Sequence, residues 1–126
     1  MPTTGRLQGC SIGRTQSGLR AVVASRRAED VQRCYQAIAA ECIQHQCRRA
    51  LVVGRSVSDA FVHLAGRDAL RSVALAGMPA GFRLALVAET PDLIAIYDTA
   101  VVEAGRLGIE ARRFRSEEDA VCWLAS

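Results

Sequence analysis

The sequence predicts an α/β domain with a mixed five-stranded sheet flanked by about four helices. Two short apolar runs, 50–54 and 83–89, are typical of strands that are buried on both faces. Segments with helical periodicity alternate with these runs, and the connecting loops are short, which indicates right-handed crossovers and parallel strands. Two further strand-like segments around a polar turn add an antiparallel hairpin at the N-terminus.

The hairpin comprises Arg6 to Ile12 and Leu19 to Ser25, on either side of a polar turn. A helix is then expected from Ala28 to about Gln46. Its apolar residues recur every three or four positions and its polar residues occupy the opposite face, which is typical of a helix packed on a sheet. The predicted buried face contains Val31, Cys34, Tyr35, Ile38 and Cys42.

The third strand is Ala50 to Gly54, and a helical segment begins near Ala60. Asp68 would fall in the apolar sector if this helix continued, and burying an unpaired carboxylate is costly. We therefore expect a break near Gly66 and a second short helix from Asp68 to about Ala76.

The C-terminal segment predicts strand, helix, strand and helix. Its first strand, 83–89, is followed by Thr90 as an N-cap and by Pro91, which suits the first helical position because no N–H is needed there. Gly108 is expected to end this helix in a left-handed conformation. The last strand is 109–114, and Ser116 caps the final helix, which Trp123 and Leu124 anchor.

This C-terminal third resembles a known family. The features that carry the resemblance are the run 83–89, the amphipathic helix that ends at Gly108, and the segment 114–124, in which Phe-Arg precedes an acidic capped turn and Ala-x-x-Trp-Leu. Together they resemble the SpoIIAA-like branch of the STAS superfamily, the anti-sigma-factor-antagonist-like proteins. The rest of the chain matches in element order alone. Because the motif consists of packing residues, the resemblance implies a fold and no activity.

The resemblance also draws attention to the loop after the third strand. Phosphorylatable STAS regulators carry an acidic residue and Ser-Ser-Gly at this turn, where the serine accepts the phosphate. Ser58 is the nearest counterpart, but Asp59 follows it instead of glycine, and the strand ends in Gly54-Arg55. An N-cap role for Ser58 or Asp59 is therefore favoured over a phosphorylation switch.

Length and composition predict a single domain over residues 1–126, with 1–5 as a flexible tail. No apolar run approaches membrane-spanning length, and the N-terminus lacks the pattern of a signal peptide. The five cysteines have no disulfide-scaffold spacing, so we expect reduced thiols and a cytoplasmic protein.

Charge and motifs exclude several function classes. The formal charge is +3 and all sixteen basic residues are arginines spread along the chain, which argues against a dedicated nucleic-acid binder. No phosphate-binding glycine loop and no nucleophile-elbow motif occurs. The spacing of Cys42, His45 and Cys47 fits no standard zinc pattern. We therefore expect no catalytic residues, no metal and no cofactor.

A binding site is expected where the parallel strands end, because ligands of open α/β sheets gather at the carboxyl edge. The candidate ligand or switch loop residues there are Arg55, Ser56, Ser58, Asp59, Glu89 and Thr90. Helix caps and surface charges are the simpler interpretation of the same residues. We expect a non-enzymatic regulatory or binding module that acts through protein contact or a small apolar ligand, as a homodimer or with a protein partner. The alternative is a small-anion or nucleotide binder at the strand ends, and an enzyme using Glu89 and Arg55 ranks last.

Overall fold

The structure is a computed structural model, and it describes residues 6–7, 10–16, 18–24, 28–55 and 77–126. Within these residues six strands and three helices follow one another along the chain. They are β1 (Arg6–Leu7), β2 (Cys10–Thr15), β3 (Gly18–Val23), α1 (Ala28–His45), β4 (Arg49–Gly54), β5 (Arg83–Val87), α2 (Pro91–Arg106), β6 (Glu110–Phe114) and α3 (Glu117–Ala125). The α/β class is therefore confirmed.

The strands form one mixed sheet in the order β1-β2-β3-β4-β5-β6. β2 and β3 form the predicted antiparallel hairpin, whereas β3, β4, β5 and β6 run parallel to one another. The five longer strands thus confirm the predicted mixed sheet. The first predicted strand, 6–12, needs correction, because Arg6 and Leu7 form a separate strand that pairs back antiparallel on Ser11 and Cys10.

Two layers of helices cover the sheet unequally. α1 and α2 pack on one face, where strand residues such as Val52 and Leu86 belong to the larger core. α3 packs on the opposite face against the alternate residues of β4 and β5, including Val53 and Ala85. Side chains alternate between the two faces along a strand, so both faces of β4 and β5 are apolar and buried. This explains the uninterrupted apolar runs in the sequence.

The predicted helix termini are confirmed in detail. The Thr90 hydroxyl accepts from the Leu93 N–H at 3.4 Å, and Pro91 is the first residue of α2. The Ser116 hydroxyl accepts from the Asp119 N–H at 3.2 Å at the start of α3. Gly108 follows α2 with φ +83°, the left-handed conformation that glycine adopts without steric cost.

The cysteines depart from the expectation of reduced thiols. Cys10 on β2 and Cys34 on α1 form a disulfide, with their Cα atoms 5.9 Å apart. Both residues are buried, because Cys10 belongs to the inward pattern of β2 and Cys34 to the apolar face of α1. The contact joins residues 24 positions apart, so the cysteine spacing alone did not reveal it. Cys42, Cys47 and Cys122 are free.

Several predictions fall outside the described residues. They are the tail 1–5, the loop residues Ser56, Ser58 and Asp59, and both short helices predicted between 60 and 76. The expected number of about four helices therefore stays a prediction beside the three that are described. None of those three has the combination of length and apolarity that crossing a bilayer requires.

Candidate functional site

The carboxyl ends of the parallel strands lie side by side at one edge of the sheet, as predicted. The backbone N–H of Arg55, just past β4, donates to the Val23 carbonyl at the end of β3. The N–H of Ala88, just past β5, donates to the Phe114 carbonyl at the end of β6. We call this the carboxyl edge, and it carries the described candidate residues.

The predicted site residues do not all take part in one cluster. Arg55, Glu89 and Thr90 are exposed at the carboxyl edge. The Thr90 hydroxyl serves as the N-cap of α2, so the simpler cap interpretation holds for this residue. Arg55 and Glu89 form no ion pair with each other. The structure brings Arg55 near a different carboxylate, that of Glu117.

Arg20 and Glu117 form a two-point ion pair at this edge. Arg20 Nη2 lies 2.7 Å from Glu117 Oε1, and Arg20 Nε lies 3.1 Å from Glu117 Oε2. Arg20 extends from the α3 face of β3, and Glu117 is the first residue of α3. Such a parallel pair of charge-assisted hydrogen bonds fixes the orientation of both side chains.

Two arginines, Arg20 and Arg55, act electrostatically on the carboxylate of Glu117. The hydrogen bonds from Arg20 lower the pKa of Glu117, burial opposes this shift, and the positive charges of Arg20 and Arg55 add to the lowering. The same hydrogen bonds raise the pKa of Arg20. Arg55 makes no hydrogen bond or ion pair with any described side chain. Arg55 therefore has no direct ion-pair partner among the described residues, while Glu118 and Asp119 add negative charge next to Glu117.

Two buried tyrosines lie behind the end of β4. Tyr35 on α1 is 4% exposed and Tyr97 on α2 is 6% exposed. Burial raises the pKa of Tyr97 to about 12, and a hydrogen bond from Tyr35 opposes this shift. Burial also raises the pKa of Tyr35 strongly, and the same bond adds to that rise. A Cβ placed on Gly54 would lie 2.5 Å from Tyr97 Oη, so this glycine permits the close approach of α2 to β4.

An exposed apolar patch is not seen in the described part of the chain. There, the exposed large hydrophobic side chain is Val102, at 58%. Met78 is half-buried and packs against the larger core. Its loop lines an open groove of about 350 Å³ together with residues 107–110.

The sequence analysis missed Arg20 and Glu117. Arg20 is a polar residue between buried neighbours on β3, a pattern that marks it as facing outward and gives it no partner. Glu117 follows the correctly predicted cap Ser116, so its position at the strand ends was foreseeable. Their pairing joins residues 97 positions apart, and only the order of strands and the face taken by α3 bring them together.

Comparison with known proteins adds no assignment. No protein-family model matches this chain, and no curated protein or solved structure matches it significantly.

Proposed function

We propose that this protein is a non-enzymatic binding module that recognises acidic side chains of a protein partner at the carboxyl edge. The observation that carries this proposal is the two-point pair of Arg20 with the Glu117 carboxylate, together with the exposed Arg55, whose charge also acts on that carboxylate. Guanidinium groups bind carboxylates through paired hydrogen bonds. Glu117 already binds Arg20 in this way. Arg55 is exposed nearby and has no hydrogen-bond or ion-pair partner among the described side chains.

The exposure of the described residues at this edge favours a protein partner over a small ligand. Arg55, Glu89, Thr90 and Arg115 are all exposed, so a partner would meet a surface of mixed charge. Charged and polar groups at the rim of an interface steer association and fix its register. A partner carboxylate would bind Arg55 and compete with Glu117 for Arg20.

The experiment measures stabilisation of the chain by a glutamate-rich peptide at constant ionic strength. We expect the peptide to raise the Tm of the unmodified protein, and Arg55→Ala to abolish that rise. Glu117→Gln should increase it, because the internal carboxylate no longer competes. Arg33→Ala, which removes an exposed arginine from the outer face of α1, is the matched control and should leave the rise unchanged.

The same experiment separates the alternative functions. Inorganic phosphate that stabilises as strongly as the peptide, and loses its effect with Arg55→Ala, would identify a small-anion binder instead. A peptide effect that survives Arg55→Ala would remove the basis of the proposal.

The SpoIIAA-like assignment and a homodimeric state are parts of the same proposal. The N-terminal hairpin followed by sequential parallel strands supports the expected element order. Ser58, the nearest counterpart of a phosphoacceptor, lies outside the described residues, so phosphorylation stays a prediction.

A further inference from the structure

The opposite edge of the sheet contains a groove that the proposed function does not use. It opens between the turn of the β2–β3 hairpin and the segment that joins α1 to β4, and its volume is about 310 Å³. This volume is at the small end of the range found for ligand pockets. The groove is lined by Gln16, Gly18, Gln46, Cys47, Arg48 and Arg49.

The groove carries positive charge that the described residues do not neutralise. Arg48 and Arg49 are both exposed, and neither forms an ion pair or side-chain hydrogen bond with a described residue. The guanidinium groups can therefore bind two carboxylates of one ligand. Gln46 adds a fixed amide, because its Nε2 donates to the Ile43 carbonyl at 3.2 Å.

Cys47 is a nucleophile in the same groove. It is half-buried, and its N–H donates to the Cys42 carbonyl at 2.9 Å, while Gln46 takes the left-handed conformation at φ 55°. A backbone hydrogen bond between Cys47 and Cys42 therefore closes the end of α1. Burial, with a smaller contribution from Cys47, raises the pKa of the Cys42 thiol to about 12. Cys42 therefore stays protonated, and Cys47 is the thiol that a ligand reaches.

We propose that this groove binds small disulfides bearing carboxylates, and that Cys47 forms a mixed disulfide with them. The Cys47 thiolate attacks one ligand sulfur, a new S–S bond forms and the ligand's own S–S bond breaks. The second half of the ligand leaves as a thiolate and takes a proton from water. The Cys47 sulfur is oxidised and one sulfur of the ligand disulfide is reduced to a thiol, so the exchange needs no other oxidant. Arg48 and Arg49 hold the carboxylates during this step.

Cys122 provides an internal control. It is exposed on α3, and Glu118 and Asp119 lie one turn before it, so it combines greater accessibility with an acidic surrounding. If accessibility alone sets the rate, Cys122 should react faster than Cys47 with every reagent. The groove predicts faster reaction at Cys47 with anionic disulfides alone.

The test exposes the folded full chain to oxidised glutathione, which is anionic, or to cystamine, which is cationic. Peptide mass spectrometry gives the modification rate at each cysteine. With oxidised glutathione we expect Cys47 to react about tenfold faster than Cys122, and added salt to reduce this preference. With cystamine the order should reverse.

Variants locate the charge that produces the preference. Arg48→Gln/Arg49→Gln should slow oxidised glutathione at Cys47 several-fold, on the scale of electrostatic steering, and leave the cystamine rate undiminished. Arg106→Gln on α2 is the control and should change neither rate. Faster modification of Cys122 by both reagents would overturn the proposal. So would an unchanged rate of oxidised glutathione at Cys47 in the Arg48→Gln/Arg49→Gln variant. The reagent comparison on the unmodified chain decides the matter even if that variant fails to fold.

Discussion

At the residue scale, the Tyr35–Tyr97 pair is the buried polar feature with the clearest energetic consequence. Both hydroxyls are removed from water and share one hydrogen bond, which joins α1 to α2 inside an otherwise apolar core. Replacing one tyrosine leaves the other hydroxyl buried without this partner, and that costs more than the lost bond itself. Replacing both tyrosines leaves neither hydroxyl of the pair in the core. The stability lost in each single substitution is therefore larger than the energy of the hydrogen bond alone.

We predict that Tyr35→Phe and Tyr97→Phe each lower the free energy of unfolding by about 1 kcal/mol or more. The double variant should lose less than the sum of the single losses, because no hydroxyl is then left without its partner. Urea denaturation of the four proteins near neutral pH measures the coupling. Strictly additive losses would show that the two hydroxyls do not depend on each other.

The same pair makes stability depend on alkaline pH. The unfolded tyrosine pKa is about 10, and the folded pKa of Tyr97 is about 12. The folded state holds its proton more tightly, so this stabilisation is complete below about pH 10 and is lost as the pH rises towards about 12. The double phenylalanine variant should lose less stability over this range. Cys42 titrates in both proteins, and its contribution cancels in the comparison.

At the element scale, α3 is held on the sheet by apolar packing and by an arginine at each end. Leu124 is fully buried, and Ala120 joins it in the smaller core. Arg20 binds Glu117 at the helix start, while Arg83 Nη1 donates to the carbonyls of Trp123 at 3.1 Å and of Ser126 at 2.9 Å. The helix dipole favours both arrangements, with an acid at the start and a cation at the end.

We predict that the apolar contact dominates the attachment of α3. Leu124→Ala should cost about 2–5 kcal/mol, as expected for a buried leucine. The Arg20–Glu117 pair is more than a third exposed, so a double-mutant cycle with glutamine should give a coupling of about 0.2–1 kcal/mol. Because the pKa of Glu117 is lowered in the folded state, this coupling is present above the unfolded pKa of about 4 and is lost as the pH falls through the folded value. A coupling that persists unchanged at strongly acidic pH would contradict its assignment to the ionised carboxylate of Glu117.

Elements are also the level at which the sequence is most informative. The caps Thr90 and Ser116, the left-handed Gly108 and the buried face of α1 each depend on residues within a few positions, and all are as predicted. The Arg20–Glu117 pair and the Cys10–Cys34 disulfide depend on which strand lies beside which and on the face that each helix covers. Local patterns do not specify that information, so the charge arrangement at the carboxyl edge emerged only from the structure.

At the scale of the whole molecule, the Cys10–Cys34 disulfide constrains the chain between β2 and α1. It closes a loop between residues 24 positions apart, and both cysteines lie in the larger core. A cross-link of this span removes conformational freedom chiefly from the unfolded chain. The hairpin and α1 therefore gain stability from a bond that native packing does not require.

We predict that the oxidised protein is more stable than the reduced protein by about 2–4 kcal/mol. Urea titrations with and without a dithiol reductant measure this difference, after mass spectrometry of the untreated protein has counted its thiols. The Cys10→Ala/Cys34→Ala variant is the control, and its stability should not respond to reductant. Because both cysteines are buried, reduction of the native protein should be slow and should accelerate in mild denaturant. Equal stability of the oxidised and reduced chains would mean that the cross-link does not restrict the unfolded state. Five free thiols in the untreated protein would support the expectation, drawn from the cysteine spacing, that all the cysteines are reduced.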